Sequence, residues 1–217
     1  MRENVGTTTV IDFDVSLGRV RTTRTFEGVI DPEAFSLDGT RVFAARSYGD
    51  YYNVQVLDLT TGAQYPTLGP DKAKPPENMY GSVVQAALSD DGSELATLYR
   101  DSTKPGRTAF VHLLFLESGA TFCIDLHDPF GTGGAGADAI EWRSGLIAVG
   151  HRSSGGVDST IATIDPSAVL ASPPQEHYPA ETGVDASAPS VPVGIAGAPG
   201  FERFIAIARV ATESQPG

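Results

Sequence analysis

The most constraining feature of this chain is a glycine turn that recurs at a fixed interval. Gly92 in "DDGS" lies 53 residues after Gly39 in "LDGT", and Gly145 in "RSGL" lies 53 residues after Gly92. Each glycine follows one short apolar stretch and precedes another. Asp-Gly pairs suit tight hairpins because glycine tolerates a positive φ and aspartate hydrogen-bonds its own backbone. The period predicts repeated units in a stacked or radial arrangement.

A second turn follows in each unit. Gly62 closes "VQVLDLTTG", Gly119 closes "HLLFLESG", and "STIATIDPSA" holds the third place. The stretches between turns alternate apolar and polar residues over about five to seven positions, which is typical of strands. Each unit therefore offers four short strands, and one helical turn is expected at 166–172. A four-stranded antiparallel sheet cannot bury both faces alone, so we predict an all-β fold, a β-propeller of such blades. A sandwich of hairpins is the alternative, although it does not require a regular period.

The segment "PEAFSLDGTRVFAARSYGDYYNVQVLDLTTG", residues 32–62, resembles the WD40-like propeller repeat of bacterial TolB-type proteins. The matching positions are Pro32, Phe35, Ser36, Asp38, Gly39, Asp58, Leu59, Thr61 and Gly62. The second copy keeps Ser89, Asp91 and Gly92, whereas the third keeps only Trp142 and Gly145. The resemblance covers about residues 32–164 and implies a bacterial propeller, located in the cell envelope or secreted. It points to no particular function.

The predicted propeller has three full blades and two terminal half-blades. The half-blades are 5–27 and 188–211, and the blades are 32–69, 82–127 and 138–180. The first hairpin is typical of the outer two strands of a blade, and the last hairpin is typical of the inner two. Together they complete a four-bladed ring by strand exchange, or the chain is a slice of a larger propeller. A slice exposes sheet edges, so self-association is a further expectation.

The net charge of −12 argues against two classes of partner. An acidic surface repels the phosphates of nucleic acids and of anionic lipids, so we expect neither nucleic-acid binding nor membrane insertion. The start of the chain, "MRENVGTTTVIDFDV", lacks the apolar core of a signal peptide. The single cysteine, Cys123, excludes an intrachain disulfide and is interpreted as a small core residue.

The loop "DLHDPFGTGGAGAD" is the most unusual segment between two predicted blades. Its residues Asp125, His127 and Asp128 are candidate metal ligands, since carboxylate oxygens suit Ca²⁺. The alternative is a glycine-rich linker, with no metal and no cofactor. The sequence contains no Gly-x-Ser-x-Gly motif, and we expect no catalytic residue.

The segment "YGDYY" places Tyr48, Tyr51 and Tyr52 in the loop before the third strand of a unit. Exposed tyrosines are good binding anchors, although packing between blades is the other interpretation. We therefore predict a non-catalytic module that binds a protein or small ligand through inter-blade loops. The alternative is a lactonase- or hydrolase-like enzyme with a metal or an acid/base pair in the central channel, for which Glu33 is a further candidate.

Overall fold

The computed structural model describes residues 6–48, 51–67, 78–100, 109–126, 137–153, 156–171, 178–179 and 203–210. These residues form four β-sheets and one short helix, which confirms the predicted all-β class. The first strands are β1 (Thr7–Asp14), β2 (Arg19–Glu27), β3 (Ile30–Phe35), β4 (Arg41–Ser47), β5 (Tyr52–Asp58), β6 (Gln64–Pro66), β7 (Ser82–Leu88) and β8 (Glu94–Arg100). They are followed by β9 (Phe110–Phe115), β10 (Thr121–Asp125), β11 (Ala139–Arg143), β12 (Leu146–Ser153), β13 (Gly156–Ile164), α1 (Pro166–Ala171), β14 (Tyr178–Pro179) and β15 (Arg203–Val210).

The chain divides into two compact units, and the first contains residues 1–67, 75–79 and 199–217. Its two sheets have the strand orders β15-β1-β2 and β3-β4-β5-β6. Strand β15 pairs antiparallel with β1 along its whole length, from Thr7 opposite Val210 to Asp14 opposite Arg203. One apolar cluster lies between the two sheets and consists of Val10, Phe26, Ile30, Val42, Ala44, Leu57 and Leu59.

The second unit contains residues 68–74 and 80–198. Its sheets have the orders β14-β10-β9-β8-β7 and β11-β12-β13. The indole Nε1 of Trp142 donates to the carbonyl of Ala87 at 2.9 Å, and the backbone N–H of Ile140 donates to Gln85 Oε1 at 3.3 Å. These bonds join β11 to β7 across an apolar core that includes Leu98, Val111, Leu113, Ile124, Ile147, Val149 and Ile164.

The recurring glycines occupy the same place in three sheets. Gly39 lies between β3 and β4, Gly92 between β7 and β8, and Gly145 between β11 and β12. Their φ angles are 66°, 73° and 80°, in the left-handed region that favours glycine. The prediction that each glycine closes the first hairpin of a repeated sheet is confirmed.

The first of these turns is held by a carboxylate. Asp38 Oδ1 accepts hydrogen bonds from Ser36 Oγ at 2.6 Å, Thr40 Oγ1 at 2.8 Å and the Thr40 N–H at 3.0 Å. The Arg41 N–H donates to Ser36 Oγ at 3.0 Å, and the Gly39 N–H donates to the Ser36 carbonyl at 2.8 Å. Local side-chain bonds of this kind satisfy turn backbone that no strand pairs with.

The second turn repeats the same network with the same atoms. Asp91 Oδ1 accepts from Ser89 Oγ at 2.8 Å, Ser93 Oγ at 2.7 Å and the Ser93 N–H at 3.0 Å. The Glu94 N–H donates to Ser89 Oγ at 3.0 Å, and the Gly92 N–H donates to the Ser89 carbonyl at 2.9 Å. The two turns therefore share their hydrogen bonds as well as their amino-acid sequence pattern.

The third turn reaches the same result without an aspartate. Ser144 has a φ of 51° beside the φ of 80° at Gly145, and these two residues alone connect β11 to β12. Two consecutive positive φ angles are the mark of a type I′ hairpin, whose twist matches that of the strands it joins. A tighter turn thus replaces the carboxylate-centred one.

The predicted blade 138–180 stays a prediction, because residues 154–155, 172–177 and 180 lie outside the described ranges; three strands of its sheet, β11, β12 and β13, are described. After β13, Asp165 accepts hydrogen bonds from the Ser167 N–H at 2.9 Å and from Ser167 Oγ at 2.7 Å, which caps helix α1. Pro166 at the first helical position and the buried Val169 complete that helix. The short strand β14 pairs in parallel with β10 of the neighbouring sheet.

The expected helical turn at 166–172 is confirmed by α1, whose six residues begin at Pro166. The predicted half-blades correspond to the β1–β2 hairpin and to β15, while residues 188–202 lie outside the described ranges. The division into blades and their number stay a prediction. Within the described residues, no helix has the length and apolar character needed to cross a membrane.

The two carboxylate-centred turns predict a pH dependence of stability. Hydrogen bonds from the Ser36 hydroxyl and then from Thr40 lower the pKa of Asp38 to about 2, and those from Ser93 lower the pKa of Asp91 to about 2. A folded-state pKa below the unfolded value stabilises the fold above about pH 4, and this stabilisation disappears as the pH falls to about 2.

We expect urea titrations to show that replacing both aspartates with asparagine flattens the loss of unfolding free energy between about pH 4 and pH 2. The effect at each site is below about 1 kcal/mol because both carboxylates face solvent. Asp90→Asn is the matched control, since Asp90 is exposed beside the second turn. Equal acid sensitivity of all three proteins would contradict the role of the two carboxylates.

Candidate functional site

The β4–β5 hairpin brings two of the predicted binding tyrosines together. The rings of Tyr48 and Tyr51 are stacked, with centroids 5.1 Å apart and planes inclined by 14°. The Tyr48 N–H donates to the Tyr51 carbonyl at 2.8 Å, which fixes the two residues on either side of the hairpin end. Both side chains are half-buried. Stacking of this geometry holds two rings as one rigid surface.

Arg46 adds a positive charge to this pair. Its guanidinium carbon lies 5.1 Å from the centroid of the Tyr48 ring, a cation–π distance. The side chain reaches the ring by passing over Gly28, where an added Cβ would lie 2.6 Å from Arg46 Nε. Gly28 has a φ of 97°, which favours glycine, and the absence of a Cβ leaves room for the Arg46 side chain.

A buried amide holds the hydroxyl end of Tyr48. Gln55, which is 8% exposed, donates from Nε2 to Tyr48 Oη at 2.9 Å and to Asn53 Oδ1 at 3.1 Å. Its Oε1 accepts from Gln64 Nε2 at 2.5 Å, and Gln64 also donates to the Glu27 carbonyl at 3.3 Å. The amide of Gln55 is thereby fully used, so the network fixes Tyr48 relative to β2, β5 and β6.

We name the group of Arg46, Tyr48, Tyr51 and Gln55 the tyrosine cluster. Tyr52 does not belong to it. Successive strand residues point to opposite faces, so Tyr52 faces away from Tyr51. Its backbone N–H and carbonyl both bond to Met79, at 3.0 and 2.8 Å. The structure therefore separates the three predicted anchors into a stacked pair and a strand residue.

The tyrosine cluster combines a positive charge with aromatic ring faces. Among the described residues, which do not include Asp50 between the two tyrosines, no carboxylate forms an ion pair with Arg46 and no group accepts a hydrogen bond from the Tyr48 hydroxyl. A guanidinium binds carboxylates with charge-assisted hydrogen bonds, and the ring faces bind planar or apolar groups. The surface therefore suits a ligand that combines the two.

The predicted metal loop is described only at its start. Asp125 ends β10 and is 6% exposed, whereas His127 and Asp128 lie outside the described residues. Within the part of the chain that is described, no three side chains of His, Cys, Asp or Glu gather as a metal site would require. The Ca²⁺ prediction stays a prediction.

The remaining polar candidates lie within strands. Cys123 in β10 is half-buried and pairs in register with His112 of β9, which is buried and meets the Tyr99 ring edge-on at 6.4 Å. Glu33 in β3 is half-buried. None of these residues belongs to the tyrosine cluster.

Two members of the tyrosine cluster were not predicted from the sequence. Arg46 precedes Tyr48 by two residues on an alternating strand, and this spacing is a signal that the two share a face. Gln55 gave no such signal, because its partner Gln64 lies on the next strand and its role depends on pairing between strands.

Comparison with solved structures gives distant likenesses, of which TolB is one. No protein-family model and no curated protein matches the chain. The crystal structure of TolB from Acinetobacter baumannii matches over 76% of this chain and 52% of its own, at 13% identity and a TM-score of 0.31. This chain thus spans about half the length of that protein, and the structural resemblance is distant.

Because the Arg46 side chain passes over Gly28, we expect a side chain at position 28 both to destabilise the fold and to disturb the packing of the stacked tyrosines. We expect Gly28→Ala to lower the unfolding free energy by about 1–3 kcal/mol, because alanine is strained at this φ and displaces the guanidinium. The near-ultraviolet circular dichroism of the stacked tyrosines should weaken in the folded variant. Gly18→Ala is the control, since its positive φ is similar in kind but nothing lies within 4 Å of an added Cβ. Unchanged tyrosine signals in Gly28→Ala would contradict the contact.

Proposed function

We propose that this protein is a non-catalytic interaction module of the β-propeller type, which binds a protein or a small ligand through the tyrosine cluster. The ligand carries a carboxylate beside a planar or apolar group. The observation that carries this proposal is the half-exposed Tyr48–Tyr51 stack with Arg46 beside it.

The propeller arrangement is supported by burial on both faces of the central strands. Val42 and Phe43 are adjacent in β4, point to opposite faces, and are both 0% exposed. Leu98 and Tyr99 repeat this in β8, at 0% and 1%. A two-layer sandwich buries one face of each sheet, whereas a fan of blades covers both faces of each inner sheet.

Preorganisation supports binding at the tyrosine cluster over simple surface exposure. Gln55 fixes Tyr48 through its hydroxyl, and the stack fixes Tyr51 through its ring. Side chains already held in place lose little conformational entropy when a partner binds, so more of the contact energy appears as affinity. Tyrosine and arginine are also the residue types enriched where binding energy concentrates.

A pair of matched small probes tests the carboxylate requirement. N-acetylphenylalanine and its amide differ only in the charge at one end. We expect ligand-observed NMR to detect the carboxylate probe at millimolar concentration and to show about fivefold weaker binding to Arg46→Gln and to Tyr51→Ala. The control is Arg19→Gln, an exposed arginine outside the tyrosine cluster.

Equal binding of the neutral amide, or binding that none of the cluster variants reduces, would overturn the proposed ligand chemistry. The non-catalytic part has its own test. Hydrolysis of a γ-lactone by the purified protein with added Ca²⁺, lost in Asp125→Ala, would instead favour the propeller enzyme.

A further inference from the structure

Strand β2 ends its sheet with a long exposed edge. It is nine residues long, and in the described part of the chain only β1 pairs with it. A register shift at Asp12 and Phe13 skips Arg21, and Thr22–Glu27 then pair without interruption. Every second residue of an antiparallel edge strand points its N–H and carbonyl away from its neighbour. Strand β2 therefore offers a row of outward backbone groups, of which the Glu27 carbonyl already accepts from Gln64 Nε2.

Three other sheet edges among the described residues are protected. Strand β6 has three residues and ends at Pro66, which has no N–H to donate. The outer edge of β10 is covered by β14. Strand β13 is interrupted by two register shifts. Short strands, proline and bulges are the usual means of blunting an edge, and the regular part of β2 has none of them.

The hairpin tip beside this edge is apolar. Val15, Leu17 and Val20 are 41%, 60% and 52% exposed, and they lie within six consecutive positions. Asp14 holds the turn by accepting from Ser16 Oγ at 2.8 Å and from the Leu17 N–H at 3.0 Å. The exposed apolar side chains thus sit on an ordered turn continuous with β2.

The same strand is basic in a strongly acidic protein. It carries Arg19, Arg21 and Arg24 against one acidic residue, Glu27, while the whole chain has a net charge of −12. Arg24 donates to the carbonyls of Leu59 and Thr60 at 3.0 and 2.8 Å, which anchors β2 to the neighbouring sheet. Arg19 and Arg21 are exposed. Strand β2 itself therefore has an excess of positive charge, and Asp14 of β1 stands opposite Arg19 as a nearby carboxylate.

We propose that β2 is a docking site for an acidic, extended peptide that adds to the sheet as a further strand. The edge backbone supplies main-chain hydrogen bonds, the arginines select carboxylates, and the hairpin tip receives apolar side chains. A second copy of β2 is the competing occupant, since an antiparallel pair centred on Thr23 would place Arg19 opposite Glu27; the test below distinguishes it from an acidic peptide. The site shares no side chain with the tyrosine cluster and does not rest on the proposed function, although the Glu27 carbonyl at the end of β2 accepts from Gln64, which also bonds to Gln55.

The test uses fluorescein-labelled nine-residue peptides of alternating glutamate and valine, with a lysine-valine peptide as the comparison. In fluorescence anisotropy at low salt, we expect only the glutamate peptide to bind, and about tenfold more weakly to the double variant Arg19→Glu, Arg21→Glu. Hydrogen exchange should slow at β2 amides when the peptide is added. Tyr51→Ala should bind the peptide normally, which separates this site from the tyrosine cluster.

Peptide N-methylation tests strand addition without altering the protein. An added strand uses one alternate set of its amides, so methylating that set abolishes binding and methylating the other set does not. Equal binding of both methylated peptides, or of the lysine peptide, would overturn the proposal. A dimer of the protein alone with protected β2 amides would show that a second copy occupies the edge, and this too would overturn it.

Discussion

The constraint on which this structure depends is the inability of a short-stranded sheet to cover its own faces. Adjacent residues of β4 and of β8 point in opposite directions, and both members of each pair are buried. Burial on one side is explained by the apolar cluster of each unit, in which Val42 and Leu98 take part. Burial on the other side, at Phe43 and Tyr99, requires cover as well. In the proposed propeller, repetition would meet this need, since each blade both requires and provides a covering surface.

The recurring turn is predictable from sequence because its cause is local. Asp38 and Asp91 bond to residues within two positions, and Gly39 and Gly92 supply a φ that few other residues adopt. The side-chain hydrogen bonds that each of these aspartates accepts therefore lie within five consecutive residues. In the third turn only the glycine matches the repeat. This glycine was enough to locate the turn, because a type I′ hairpin requires positive φ angles but no carboxylate.

The helical turn after Ile164 was predictable for the same reason, since the hydrogen bonds that Asp165 accepts from Ser167 are as local as those of a turn. Pairing between distant segments was less predictable. The pairing of β14 with β10 depends on contacts across about fifty residues, which no short pattern encodes.

The tyrosine cluster shows the same division. Tyr48 and Tyr51 were predicted because a cluster of aromatic residues in a loop can be recognised directly in the sequence. Tyr52 was predicted with them, but the alternation of side chains along the strand places it on the other face. Gln55 and Gly28 act through partners on other strands, and their roles emerge only once the sheets have paired. The residues proposed to bind a ligand could thus be predicted from sequence more readily than the residues that position them.

Distances between the repeated turns test the central claim that the sheets fan around one axis. Spin labels at Leu37, Asp90 and Ser144, in a Cys123→Ala background, report by pulsed electron resonance on one exposed position close to each turn glycine. We expect the Leu37–Asp90 and Asp90–Ser144 distances to agree. The Leu37–Ser144 distance should exceed them by a factor between about 1.4, for four blades, and about 1.8, for seven. Two unequal neighbouring distances, or a factor of about 2 as in a linear stack, would contradict the propeller.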